Sequence, residues 1–185
     1  MARIFLALTP EKDLNNQIVE VKKQLKSSIF KETNISWQKN DHHHLTIYFV
    51  GEMEPEQMAE MNKELSLINF TNISNSIELT EVTFFPNENS QVLVATVKQN
   101  VHLLKLYEKV EEIVVNIGFG SDLKQYRPHI TLGRLKEKNK FQYEFEALDE
   151  AIKGKVKDLS VFETEFNEGK TKYTLLKSFE LENRS

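Results

Sequence analysis

The chain has 185 residues, 39% hydrophobic and 10% aromatic, enough for one packed domain or two small lobes sharing a core. It has no cysteine, which excludes disulfides, thiolate metal sites and cysteine nucleophiles and suits a reducing compartment. A formal net charge of -4 argues against tracking along the phosphates of a long duplex, but leaves a small anionic group or a nucleic-acid end as a partner.

The chain opens on RIFLAL, a short apolar strand. Its apolar run from Ile4 to Leu8 is too short for a signal peptide or a membrane span, so a cytoplasmic protein without a membrane partner is expected. Thr9 and Pro10 read as the cap and first turn of a helix carrying Leu14, Ile18, Val21, Leu25 and Ile29 on one face. A polar loop, KETNISWQKND, leads to HHLTIYFVG, a strand rich in β-branched and aromatic residues. A second helix runs from about Pro55 to Ile68. SIELTEV and QVLVATV follow as strands separated by the turn PNENS, and a third helix spans Val101 to Ile117. RPHITLGRL comes next, then three strand candidates, FQYEF, VKDLSVFETEF and TKYTLLKSFEL, the last two joined by NEGK.

Strand, helix, loop and a His-x-Thr strand occur twice. Ile4 and Val92 are 88 positions apart (92 less 4), and His44 and His129 are 85 apart (129 less 44). These offsets suggest a duplicated unit whose copies face each other about a pseudo-twofold axis. Side chains two apart on a strand share a face, so His44 projects with Thr46 and His129 with Thr131. Two imidazoles and two hydroxyls facing one another suit a phosphate diester: one histidine takes a proton from the attacking oxygen while the other protonates the departing one. Leu45, Ile47, Ile130 and Leu132 alternate with them as core anchors.

With these flanks the chain resembles the RNA 2′,3′-cyclic phosphodiesterase / 2′-5′ RNA ligase family of the two-histidine phosphoesterases. RIFLAL, HLTIYFVGE, RPHITLGR and FETEFNEGKTKYTLLKSFEL stand in the family's order, so the resemblance covers nearly the whole chain. It implies an α+β fold over residues 1–185: two lobes of mainly antiparallel sheet, outer helices and a central groove. It implies His44 as proton donor, His129 as proton acceptor, and Thr46 and Thr131 as ligands of the phosphate oxygens. The implied activity is hydrolysis of a 2′,3′-cyclic phosphate, on an RNA end or a small nucleotide, to a 2′-phosphate without metal or cofactor. Reversible 2′-5′ RNA joining is the related reaction.

Arg127 and Arg134 flank the second motif and are candidates for the phosphate. By strand parity Arg134 should face away from His129, whereas Arg127 shares its parity but precedes Pro128. Phe49, Tyr48, Tyr126 and Trp37 are candidates for stacking on a base and equally for core positions. Two rival readings are a metal hydrolase built on His42 and His44 and a non-catalytic nucleotide-binding module of the same fold. His43 should point away from His44, and His42 should precede the strand proper.

Overall fold

Apolar residues at period two on the strands and at helical spacing on the helices close on a common core in the computed structural model, which describes residues 2–70, 73–121, 125–137, 147–167 and 170–181. β1 (Ala2–Pro10) turns Ile4, Leu6 and Leu8 into that core, and α1 (Lys12–Ser27) buries Leu14, Ile18, Val21 and Leu25. The start of α1 differs from the sequence reading. Pro10 is still strand and pairs with Val156, the Glu11 N–H donates to the Lys155 carbonyl at 2.8 Å, and Glu11 occupies the N-cap. Sheet pairing thus overrides the local Thr-Pro signal. The helix also ends before Ile29, which is exposed, while Phe30 folds into the core.

Within the polar stretch 31–41, a loop by its composition, Ile35–Trp37 form β2, paired with the later motif strand, and a 3₁₀ turn covers Asn40–His42. Three residues carry too little periodicity to announce a strand, and this one forms only because a distant edge receives it. β3 (Leu45–Met53) begins one residue after His44. α2 (Pro55–Ser66) buries Met61 and Leu65 and is capped by Gln57, whose Oε1 accepts the Glu54 N–H at 3.2 Å. β4 (Ser76–Phe85) and β5 (Val92–Val97) follow. In α3 (Val101–Asn116), Asn100 Oδ1 caps the first turn by accepting from the His102 and Leu103 N–H groups, each at 3.0 Å. β6 (His129–Leu135), β7 (Ala147–Asn167) and β8 (Lys170–Glu180) complete the described elements. The FQYEF candidate lies outside the described residues, as do the two central residues of the NEGK turn, whose flanks Asn167 and Lys170 pair.

Every pairing is antiparallel, in the order β1-β3-β6-β5-β4-β7-β8, with β2 on β6 and β7 also on β1. The long β7 joins the two halves, pairing with β4 up to Lys155 and with β1 from Val156 onward. One half holds β1, α1 and β3; the other holds β5, α3 and β6. Each is a strand, a helix and a neighbouring antiparallel strand, the duplicated order read from the sequence. The result is an α+β fold of two lobes. No helix among the described residues is long and apolar enough to cross a membrane.

Candidate active site

The two motif strands touch through a single pair, Leu45 with Ile130, both fully buried. These are the residues that follow each histidine, so their core-facing side chains turn the flanking positions to the opposite face. The antiparallel register sets His44 across from Thr131 and His129 across from Thr46, at separations of about 5 Å between opposed Cβ atoms for such pairs. All four side chains line one groove of about 510 Å³.

Each imidazole is held in the same way. His44 Nδ1 lies 2.8 Å from the His42 carbonyl oxygen, and His129 Nδ1 lies 2.8 Å from that of Arg127. A carbonyl only accepts, so each ring carries its proton on Nδ1 and presents an unprotonated Nε2. Burial is the main influence on both and lowers both pKa values below 6.5. The carbonyl bonds oppose it, while the neighbouring His129 lowers His44 further and Arg127 lowers His129 further. Aromatic rings fix the imidazole planes. Phe5 and Tyr173 lie 5.0 and 5.3 Å from His44, and Phe85 stacks on His129 at 4.0 Å.

Arg134 is not turned away as parity predicted, because both motif strands bulge. Val94 opposes Thr131 and Leu93 opposes Gly133, so Leu132 is the extra residue; Ala7 opposes Thr46 and Leu6 opposes Tyr48, so Ile47 is its counterpart. Each bulge reverses the alternation. The fifth residue after each histidine, Phe49 and Arg134, therefore enters the groove. Gly133 lets β2 approach this bulge: a Cβ there would stand 2.9 Å from Ile35 Cγ2 and 3.1 Å from the Ser36 carbonyl oxygen.

Two other candidates are not in the groove lining. Arg127 donates to the Pro86 carbonyl at 3.0 Å and lies over the Phe85 ring at 4.9 Å, placing a cation behind the ring that stacks on His129. Tyr126 stacks on Tyr107, donates to the Thr46 carbonyl at 3.2 Å and, largely through burial, has its pKa raised. Tyr48 is buried in the core, whereas Trp37 lines the groove. The sequence reading missed Phe5, Lys39, Phe85, Phe166 and Tyr173. Phe5 was legible as the groove-side partner in the alternation of β1; Phe166 and Tyr173 depend on how β7 and β8 fold back over the site. The described lining includes Lys39 and Arg134 and no carboxylate, so the groove is cationic in an acidic protein.

The three consecutive histidines part company. His42 and His44 line the groove, while the His43 ring lies between Asn15 Oδ1, at 2.7 Å, and Lys22 Nζ, at 3.0 Å. Since Lys22 is charged and donates, His43 accepts through Nε2 and donates through Nδ1; burial, reinforced by Lys22, pulls its pKa down to about 3. Lys22 also donates to the Gln38 carbonyl and to Asn40 Oδ1. Among the described residues, no group of three His, Cys, Asp or Glu side chains is placed to hold a metal ion.

The family profile described as LigT-like phosphoesterase matches residues 8–96, which include His44. An Archaeoglobus fulgidus protein named RNA 2′,3′-cyclic phosphodiesterase is 30% identical over 138 residues, 74% of each chain. A Methanocaldococcus jannaschii protein of the same name is 28% identical over 135 residues, 72% of each chain. Among solved structures, a Thermus thermophilus protein superposes with a TM-score of 0.80 at 20% identity, covering 99% of this chain and all of its own. Escherichia coli LigT complexed with 3′-AMP gives a TM-score of 0.73 at 20% identity, covering 98% of this chain and 99% of that one.

Proposed function

Since the chain belongs to the LigT-like phosphoesterase family, we propose that it hydrolyses RNA 2′,3′-cyclic phosphate ends to 2′-phosphates, with His44 and His129 moving the protons and Thr46 and Thr131 holding the phosphate. The observation that carries the reading is the matched pair of imidazoles, each with Nδ1 committed to a backbone carbonyl, in one groove beside the opposite strand's threonine. The names of the archaeal relatives support the substrate class.

Water attacks phosphorus from the His129 side, and His129 Nε2 takes its proton. The bond from phosphorus to O3′ breaks on the His44 side, and protonated His44 delivers a proton to O3′. The product is a 2′-phosphomonoester with a free 3′-hydroxyl, and proton exchange with solvent returns the histidines to their starting states. Burial and Arg127 keep His129 neutral, as a base must be. The anionic phosphate favours protonation of His44 once bound. Thr46 and Thr131 donate to the non-bridging oxygens, Arg134 and Lys39 offset the charge, and Phe49, 71% exposed at the mouth, offers a face to the base. A 5′-hydroxyl in place of water yields a 2′-5′ phosphodiester by the same transfers. The reaction routes no step through a metal.

The test is incubation of an RNA ending in a 2′,3′-cyclic phosphate with the protein in excess EDTA, followed by phosphorus NMR of the product. A 2′-phosphate is expected. A 3′-phosphate would mean that the other oxygen leaves, and turnover abolished by chelator and restored by a divalent ion would replace the two-imidazole mechanism.

A further inference from the structure

Behind His44 lies a second cavity, of about 370 Å³, which shares Phe5, His42, His44 and Tyr173 with the catalytic groove. We propose that this cavity seats the nucleoside immediately 5′ of the cyclic-phosphate nucleotide, making the substrate an oligoribonucleotide end rather than a free cyclic mononucleotide. The proposal rests on the role assignment above. If the attacking oxygen enters beside His129 and O3′ departs beside His44, the ribose bearing O3′, with everything attached to its 5′ side, extends past His44. The second cavity opens on that side.

Its chemistry fits a nucleoside. Leu175 and Tyr173, two apart on β8, share a face with Phe162 of β7, the register partner of Leu175, giving an apolar and aromatic floor. Leu175 is 55% exposed, an apolar side chain at the rim of a recess. The polar groups of the lining are Thr9, the Asp41 carboxylate, His42, His43, His44 and the Tyr173 hydroxyl, and the described lining contains no lysine or arginine. A phosphate finds no cation there. A flat base finds a floor, and a ribose 2′-hydroxyl or an exocyclic amine finds an acceptor in Asp41. The shared wall makes groove and cavity one path: anion-binding at the histidines, where Lys39 and Arg134 lie, and nucleoside-binding beyond.

The test compares adenosine 2′,3′-cyclic phosphate with the adenylyl-adenosine dinucleotide ending in the same group. In wild type the dinucleotide should have the higher kcat/KM by about tenfold, a typical effect of stacking one base. Leu175→Asn should bring that ratio near one. Asp41→Ala should lower it about fivefold, by loss of a charge-assisted hydrogen bond. Bulk electrostatics predicts the opposite sign for Asp41→Ala, since removing a negative charge favours the more highly charged dinucleotide. Circular dichroism checks that both variants fold. Equal kcat/KM for the two substrates, or a preference that both variants retain, would overturn the proposal. A parallel calorimetric titration with adenosine 2′-phosphate and the matching dinucleotide 2′-phosphate reads the subsite without turnover. If neither cyclic substrate is hydrolysed but the dinucleotide binds about tenfold tighter, the reaction assignment falls and the subsite stands. If both dissociation constants agree, the subsite falls whatever the chemistry.

Discussion

Lys22→Met replaces a buried ammonium with an apolar chain of similar length, at a point that reaches His44 through residues 38–43. The ammonium donates to the Gln38 carbonyl, to Asn40 Oδ1 at 2.9 Å and to His43 Nε2 at 3.0 Å, tying down residues 38–43. Gln38 Nε2 in turn donates at 3.2 Å to the His42 carbonyl, the one that fixes His44. Burial lowers the Lys22 pKa from 10.5 to about 8, so at neutral pH its charge is kept at a cost of about 3 kcal/mol. The substitution relieves that cost and strands acceptors. Asn40 is exposed and can turn to water, leaving the Gln38 carbonyl and His43 Nε2, at about 1 to 3 kcal/mol each. The opposing terms nearly cancel. The net loss should not exceed about 3 kcal/mol, a fall in Tm of about 10 °C or less. Activity shares in no such cancellation, because releasing the 38–43 segment frees the carbonyl that orients His44. We expect kcat on a cyclic phosphate to fall about 10- to 100-fold with KM little changed. Steady-state kinetics with parallel thermal melts is the assay. A folded variant with wild-type kcat would show that Lys22 does not position His44. Folded Lys22 gives up its proton near pH 8 while the unfolded chain holds it to about 10.5, so wild-type stability relative to Lys22→Met should rise across that window.

His44→Ala and His129→Ala should each lower turnover at least about 100-fold with the fold intact by circular dichroism, and Thr46→Ala and Thr131→Ala should do less, since a hydroxyl supplies a hydrogen bond and an imidazole moves the proton; threonine variants worse than histidine variants would reverse the roles. Both histidine pKa values lie below 6.5 in the free protein, so kcat/KM should decline as pH rises above that value and protonated His44 is depleted; Arg127→Met removes a cation from beside His129, so the limb belonging to that base should move to higher pH, and an unmoved profile would count against the coupling. Arg134→Met should weaken inhibition by inorganic phosphate and by a 2′-nucleotide alike, whereas Phe49→Ala should weaken only the nucleotide, and equal effects of Phe49→Ala on both would remove it from base recognition. Gly154→Ala should cost about 1 to 3 kcal/mol in urea unfolding, because the added Cβ would stand 2.7 Å from Leu14 Cβ and α1 would have to shift; an unchanged midpoint would show that α1 gives way freely.

The parts of this molecule legible in its sequence are those governed by local periodicity. The apolar stripes of α1, α2 and α3 carry spacing that survives any tertiary arrangement, and the repeated strand, helix, His-x-Thr order placed His44 and His129 in matching contexts. What escaped is set by register between distant strands. β2 exists because the edge of β6 accepts Ile35–Trp37, and Pro10 stays in β1 because Val156 lies opposite. The parity argument that turned Arg134 outward assumed an unbroken pleat, and a bulge defined by Val94 and Leu93 on the neighbouring strand cannot be counted from β6 alone. Gly133 was the local trace of it, since only a residue without a Cβ admits the Ser36 carbonyl so closely.

The duplicated order gives the groove a symmetric frame around its two histidines and an asymmetric lining beyond them. Both halves supply a histidine fixed through Nδ1, a threonine two residues on, and a bulge that delivers the fifth residue into the groove. Under the proposed reaction, general acid and general base exchange places on reversal, and equivalent frames suit both roles. The fifth residue faces no such requirement. One copy supplies Phe49 and the other Arg134, giving the groove an aromatic side and a cationic side. A nucleotide has the same polarity, with a flat base at one end and an anion at the other. Under the proposed reaction, Phe49 and Arg134 would set its orientation between two nearly equivalent histidines. The outer shell diverges in the same sense. Arg127 sits beside the ring that stacks on His129, whereas aromatic rings surround His44, so the cation that adds to the lowering of the His129 pKa has no counterpart at His44, where the neighbouring histidines add to it instead.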